Sequence, residues 1–438
     1  MTDDNRHEVG FTDRTRVAEA RAALLEAVAP HDRTETVPIG AADGRVLAAS
    51  VTAPNPVPSY DRAAMDGYAV RAPDTFGASD RSPEALTVTD RDGPVGPNEA
   101  ARVHTGSDLP AGADAVVMIE ETEGVGEGPD GDPREVEVFD AVTEGENVGD
   151  AGEDVAAGQH LFDAGHRLRP SDLGLLKSVG LAEVTVREPP TVAVIPTGEE
   201  LVQSDPGPGE VIETNGLTVS RLVERWGGTA TYRDVVDDDE AALRAAVAGD
   251  ADHDLVVTTG GSSVGERDLV PDVVADLGEV LVHGVALKPG HPVALGVAHN
   301  GDAGGDGATP VLMLPGYPVA CIVNAVQFLR PALKAAGDLP TPARPTTEAT
   351  LDRKVPSSPG ERTFARVRLE NGDGDSADGR DGGREVDADR PRAVPTRASG
   401  SGVLSSVALA DGWVVVPESV EGFDAGETVS VQHWEQQP

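Results

Sequence analysis

Three short glycine-containing segments stand where apolar runs end. Thr197-Gly198 follows Val192 to Ile195, Gly260-Gly261-Ser262-Ser263-Val264-Gly265 follows Leu255 to Thr258, and Pro315-Gly316-Tyr317-Pro318 follows Val311 to Leu314. In open α/β sheets ligands bind beyond the carboxyl ends of strands. Backbone N–H groups in glycine loops and at helix N-termini favour anions there. One such loop is ordinary turn chemistry; three in one region point to an anionic ligand. Carboxylates crowd the same places: Glu199 and Glu200 after the first loop, Asp237, Asp238 and Asp239 after another apolar run, Glu266 and Asp268 at the second loop. They would repel a phosphate unless a cation intervened. Magnesium, held by one or two carboxylates together with substrate phosphates, resolves that conflict. Lys288 is one of only four lysines in the chain and sits in Lys288-Pro289-Gly290-His291-Pro292, where an ammonium could hold an anionic oxygen.

The elements that must position these groups alternate. Arg14 to Ala29 reads as a helix stopped by Pro30, with Val17, Ala20, Leu24, Ala27 and Val28 at helical spacing. From Thr191 the pattern is strand, glycine loop, helix, repeated. Helices are expected over Gly216 to Trp226 (Asn215 as N-cap, with Leu217, Leu222, Val223 and Trp226 on the buried side), Asp238 to Ala248, Leu269 to Leu277 and Val319 to Leu329. Strands are expected over Thr229 to Val236, and Val280 to Leu287 should pair with Val293 to Val297 around the Lys288 turn. Such alternation means a parallel, doubly wound sheet. From Pro54 to about Gly158 short apolar runs separated by Gly, Pro and Asp predict a β region, with Gly124 to Asp132 as an acidic turn. Ser171 to Val179 reads as a short helix. Ala349 to Val431 reads as β again, interrupted by a surface loop over Asn371 to Asp389; Asn300 to Ala308 is a smaller insertion of the same kind.

Composition narrows the classes. The 438 residues carry 76 acidic and 35 basic side chains, a formal net charge of −41, which excludes a general nucleic-acid binder. No run of 18 or more apolar residues occurs, and Met1 to Gly10 is polar, so neither a membrane span nor an export signal is expected and a cytoplasmic location is. The single cysteine, Cys321, excludes a disulfide framework and lies on an apolar helix, which favours the core. The ten histidines show no metal-ligand spacing. Excess carboxylate with few lysines fits a protein working in concentrated salt, where a Debye length of about 3 Å at 1 M screens surface repulsion. The expected outcome is a melting midpoint that climbs by several degrees or more from dilute buffer to multimolar KCl; a midpoint indifferent to salt removes the halophile reading.

Taken in order, further segments resemble one family. AAMDGYAV at 63–70, HTGSDLPAGADAVVMIEE at 104–121, GENVGDAGED at 145–154, IPTGEEL at 195–201, TNG at 214–216, TTGGSSVGERD at 258–268, KPGHP at 288–292 and PGYPVA at 315–320 resemble the molybdopterin molybdenumtransferases of the MoeA and gephyrin E-domain type. The resemblance spans about residues 11 to 438. It implies a multidomain α/β plus β chain: a molybdopterin-binding-type α/β domain (11–30 and 190–336), a linking domain (31–53 and 158–189), an inserted β domain (54–157) and a C-terminal β-barrel (337–438). It implies a cytoplasmic homodimer that inserts molybdate into adenylylated molybdopterin with release of AMP, using magnesium or a similar divalent cation. The molybdopterin adenylyltransferase is an implied partner.

The resemblance carries over Asp66, Thr105, Glu200, Asp237 or Asp238, Asp268 and Lys288 as catalytic positions, with Glu200, Asp237 and Asp268 as metal ligands. Thr197, Gly198, Gly260, Gly261, Ser262, Ser263, Gly265, Pro315, Gly316, Pro318 and Asp154 would bind substrate. Asp66 and Thr105 would come from the partner subunit. The chain departs from the family pattern where KPGHP replaces KPGKP, GEE replaces GDE, and PGYP replaces PGNP, which would put an aromatic wall in place of a polar contact. ATP-dependent adenylylation of molybdopterin, the sister activity, does not account for the motifs outside 191–336. A non-catalytic peptide-binding scaffold would not need the acidic positions.

Overall fold

The computed structural model describes residues 14–90, 93–128, 133–261, 269–299, 308–371, 390–396 and 402–435. The chain forms two compact units, one of Met1–Glu35 with Arg187–Pro438, the other of Thr36–Val186.

The larger unit is built on a six-stranded sheet of β1 (Thr191–Pro196), β2 (Thr229–Tyr232), β3 (Leu255–Thr259), β4 (Gly278–His283), β5 (Ala294–His299) and β6 (Ala308–Leu314), in the order β2-β1-β3-β6-β5-β4. The first four strands in that order are parallel, as the strand–helix alternation requires, and the last two join antiparallel, so the sheet is mixed. Its central strands are buried along nearly their whole length because both faces are covered. Val192, Val194, Leu255, Val257, Leu312 and Leu314 pack on α1 (Val17–Ala27), α2 (Asn215–Arg225) and α5 (Pro318–Ala336). Ala193, Ile195, Val256, Val311 and Met313, the alternate residues, face α3 (Glu240–Gly249) and α4 (Leu269–Leu277). By length and mean hydropathy, 1.2, α5 could cross a membrane; here it is a core helix, buried along nearly its whole length. Its middle, Ala325–Leu329, is π-helical, and helical structure runs on past the expected end at Leu329. Cys321 is buried in it, and burial pushes its thiol up, as a core residue's should be.

The expected hairpin around Lys288 is not formed as read. β4 does pair with β5, but Leu287–Lys288 leaves the sheet and runs parallel to Arg362–Thr363. That non-local pairing belongs to a closed ring of five strands, β7 (Thr346–Leu351), β8 (Arg362–Glu370), β9 (Arg392–Pro395), β10 (Gly412–Val416) and β11 (Thr428–Gln432), in the order β8-β9-β7-β11-β10 and back to β8. Ala349, Leu351, Val367, Val414, Val416, Val429 and Val431 fill its interior. Helix α2 begins one residue earlier than expected, with Thr214 and not Asn215 at the cap, and Leu217 faces outward, nearly half exposed. Of the loops read over Asn371 to Asp389 and Asn300 to Ala308, residues 372–389 and 300–307 lie outside the described residues, and Ala308 is the first residue of β6.

The smaller unit contains a six-stranded sheet in the order Ala115–Met118, Gly67–Val70, Glu99–Val103, Glu84–Thr89, Pro133–Val138, Thr122–Glu127. Tyr68, Val70, Leu86, Val117, Val136 and Val138 form its core. Part of the expected acidic turn is therefore an edge strand: Thr122–Glu127 pairs antiparallel with Pro133–Val138, and ladder bonding overrides its Gly and Glu content. Helix Pro170–Ser178 starts at a capping box in which Asp172 accepts from the Arg169 backbone N–H at 2.9 Å. The Arg169 guanidinium and His166 hold the Asp172 carboxyl well below its ordinary range.

Candidate functional site

The register aligns the ends of three parallel strands. Pro196 lies beside Thr259, and Thr259 beside Leu314. The three glycine segments therefore leave the sheet side by side. Thr197 N–H donates to Thr259 O at 3.2 Å, and Gly260 N–H donates to Leu314 O at 3.0 Å. Gly260 has φ +115°, and a Cβ there would lie 2.3 Å from the Thr197 carbonyl oxygen, so only glycine fits. Thr197-Gly198, Gly260-Gly261 and Pro315-Gly316 with Pro318 line a cleft of about 480 Å³.

The opposite wall is the start of α2. Asn215 Nδ2 donates to Gly316 O at 2.7 Å, tying the helix to the third loop. Glu213 is buried; its Oε1 accepts from Gly216 N–H at 2.7 Å and its Oε2 accepts the Tyr232 hydroxyl. A carboxylate against the first turn of a helix is stabilised by the orphan N–H groups there. Burial, followed by Glu213, pushes the Tyr232 phenol up, so it stays a donor. Sequence reading missed Glu213, although a glutamate three residues before Gly216 at a helix start was the available signal. Gly402 also lines the cleft, and its Cα carries no side chain to meet the Tyr317 ring; a Cβ would sit 3.3 Å from it.

Two features of the cleft bear on chemistry. Thr197 and Thr259 line it with buried hydroxyls that have no hydrogen-bond partner among the described residues. A buried polar atom left so costs about 1–3 kcal/mol, which a ligand oxygen would recover. The second feature is acidic: Glu200 and Asp238 both line the cleft. Burial raises the proton affinity of Asp238, and Glu200, Glu199 and Asp237 add to the shift by like-charge repulsion, against a backbone hydrogen bond from Glu199. Two carboxylates that resist sharing a site are a hard-oxygen donor set suited to magnesium. Asp237 is exposed and does not line the cleft, so of the adjacent pair it is Asp238 that joins Glu200. Asp239 instead caps α3, accepting from Ala242 N–H at 2.9 Å.

The remaining expected residues are placed as follows. Lys288 is exposed on the Leu287–Lys288 strand and does not line the cleft, whereas Pro292 does. Ser262, Ser263, Gly265 and Asp268 lie outside the described residues. In the smaller unit Asp66 Oδ1 accepts from both the Thr105 N–H (2.7 Å) and its hydroxyl (2.9 Å), which hold the Asp66 carboxyl below its ordinary range. Asp154 donates its N–H to Val57 O at 3.0 Å. One histidine stands among carboxylates: Asp250, Asp252 and His253 offer ligand atoms within 4.8 Å of one another. Asp250 is already bound by the Arg233 guanidinium, with Nε 3.1 and 3.0 Å from its two oxygens.

Comparison with known proteins decides the family. The MoeA N-terminal region (domains I and II) matches residues 15–180, the probable molybdopterin-binding domain residues 193–335, and the MoeA C-terminal region (domain IV) residues 382–434. A putative molybdopterin biosynthesis protein of Methanocaldococcus jannaschii is 34% identical over 93% of this chain and 94% of its own. The chain belongs to the MoeA family. As a member it is a transferase of molybdenum cofactor biosynthesis, acting in molybdenum insertion. Molybdopterin molybdenumtransferase 2 of Mycobacterium tuberculosis is 36% identical over 77% of this chain and 84% of its own. The Bacillus subtilis molybdopterin molybdenumtransferase is 32% identical over 91% of this chain and 89% of its own. The crystal structure of the molybdopterin biosynthesis MoeA protein of Pyrococcus horikoshii superposes with a TM-score of 0.79 at 33% identity, covering 97% of this chain and all of that one.

Proposed function

We propose that the cleft at the ends of β1, β3 and β6 binds adenylylated molybdopterin, and that the chain exchanges its AMP for molybdenum supplied as molybdate. The observation that carries this reading is the pairing of three aligned glycine loops with the Glu200–Asp238 carboxylates in one cleft. Loop N–H groups and the Thr197 and Thr259 hydroxyls supply donors to anionic oxygens. The Glu213 and Asn215 contacts hold the start of α2 rigid against the third loop, so those donors are fixed before substrate arrives. Tyr317, more than half exposed, offers a flat apolar surface to a ring. Glu200 and Asp238 would hold a divalent cation, which when bound neutralises the pyrophosphate charge as AMP leaves. Lys288 and the 262–268 loop, with Asp268, are assigned to the same substrate by motif position. The test is AMP release from adenylylated molybdopterin in KCl solution. Release that needs both molybdate and magnesium supports the reading; ATP consumption in its place, or an intact adenylate, refutes it.

We further infer a cytoplasmic homodimer in which Asp66 and Thr105 of one protomer complete the cleft of the other. Thr105 clamps one Asp66 oxygen, which orders the carboxylate for an outside partner. Mixing inactive Asp66→Ala and Glu200→Gln proteins then restores activity, because each hybrid dimer has one site free of both changes. With random exchange about half the dimers are hybrid and half their sites intact, so about a quarter of wild-type turnover returns. If the mixture stays as inactive as its components, the site is built within one chain.

A further inference from the structure

A second cavity, of about 500 Å³, lies in the larger unit and shares no lining residue with the cleft. Four arginines line it: Arg21 on α1, Arg330 on α5, Arg344 beyond the end of α5, and Arg362 on β8. In a chain with 76 acidic against 35 basic residues this grouping runs against the overall charge. Arg362 is neutralised by Glu418, whose Oε2 lies 3.1 and 3.0 Å from its Nε and Nη2. Among the described residues no carboxylate forms an ion pair with Arg21, Arg330 or Arg344.

Their hydrogen bonds go instead to neutral oxygens. Arg21 donates to Gln327 O at 3.0 Å and to Gln327 Oε1 at 2.8 Å; Arg344 donates to Val326 O at 2.9 Å. The reason is local. Around the π-helical turn, Pro331 has no N–H to return to the carbonyl of Gln327, four residues before, or of Val326, five before. The arginines supply the missing donors. Neutral carbonyls do not cancel charge, however, and each guanidinium has five N–H groups of which these contacts use one or two. Burial lowers the proton affinity of all three. Arg362 adds to this at Arg21, and at Arg344 burial, followed by Arg330 and Arg21, brings the guanidinium down to about 10. The Gln327 amide Nε2, in the same wall and buried, has no partner either. Phe364 and Val415 form an apolar side to the cavity.

We propose that this cavity is a second anion site, for a small phosphate-bearing molecule of at least two negative charges. Guanidinium groups are the preferred partners of phosphate oxygens, and Gln327 Nε2 supplies a further donor. The proposal does not depend on what the cleft does.

The test is calorimetric titration of inorganic pyrophosphate into the full chain, in low-chloride buffer without divalent cations. Saturable binding that weakens at least tenfold in Arg344→Gln and in Arg330→Gln, but not in the cleft variant Thr197→Val, supports the site. The ligand-free Arg330→Gln variant should also melt no lower than wild type, because like charge has been relieved without taking a donor from the π-helical turn. Absence of saturable binding, or equal binding in all variants, overturns it, as does loss only in Thr197→Val. Should neither glutamine variant fold, Arg344→Lys, which keeps the charge and loses the guanidinium fork, decides. Pyrophosphate binding weakened at least tenfold supports the site, and binding equal to wild type overturns it.

Discussion

Asp238→Asn lowers AMP release by at least about a hundredfold and, in metal-free solution at neutral pH, melts no lower than wild type. The two halves have one cause. Asp238 is partly buried beside Glu200, Glu199 and Asp237, and burial with their repulsion raises its proton affinity. Ionised, it is held at a cost in the folded state, and the amide removes that cost. Loss of a charge aimed at developing negative charge on substrate, through a bound cation, is worth about 10²–10³ in rate. The pH dependence follows in sign. A carboxyl whose folded pKa is raised makes the native state bind more protons than the unfolded chain. Its destabilising contribution is therefore absent below the ordinary aspartate range, near 3.9, and grows as pH rises through the raised value. The melting difference between variant and wild type should vanish at low pH. Magnesium should raise the wild-type midpoint and leave that of the variant where it is. A variant that releases AMP normally removes Asp238 from the mechanism. Asp237→Asn is the companion measurement: that side chain is exposed and outside the cleft, so a small effect is expected.

Gly260→Ala loses both stability and turnover. At φ +115° a side chain costs on the order of 1–3 kcal/mol from the backbone alone. The added Cβ would also stand 2.3 Å from Thr197 O and 3.0 Å from Thr197 Oγ1. The first is backbone at the end of a central strand and cannot swing aside, so the first and second loops must part. Parting them displaces the Thr197 hydroxyl and breaks the alignment of donors, which multiplies the kinetic loss beyond that of stability. Chemical denaturation and AMP release on the same preparation check this. An alanine variant with unchanged stability would mean that the two loops do not make the close approach described. Gly316→Ala is the control: its Cβ would meet only the Gly260 Cα, at 3.5 Å, an ordinary contact.

Local rules make much of the larger unit legible in the amino-acid sequence. Helix α4 spans Leu269–Leu277 as its apolar spacing requires, and Val192 to Ile195 is a strand because both faces are covered. The departures have particular causes. Asn215 has the side chain of a cap, but the Gly316 carbonyl takes it, a partner about a hundred residues away in sequence, and Thr214 occupies the cap position. Leu217 fits the helical stripe by spacing, yet among the described residues no element covers that side of α2 at its first turn. Thr122–Glu127 is poor in strand formers and is a strand only because Pro133–Val138 lies beside it.

By itself the sequence determined the family, through the order of its motifs, and the presence of glycine loops after apolar runs. Those follow from backbone sterics and strand-to-helix alternation, which act over a few residues. Only the tertiary structure decided that Pro196, Thr259 and Leu314 stand in register, so that three separate loops become one cleft. It alone chose Asp238 over Asp237 for that cleft, sent Leu287–Lys288 to the barrel strand at Arg362–Thr363, and buried Glu213 under α2. It alone gathered Arg21, Arg330, Arg344 and Arg362 around one cavity. The physical reason is common to all of these. Strand register, side-chain facing and charge proximity depend on contacts between residues far apart in the chain, and no spacing rule along the chain encodes them.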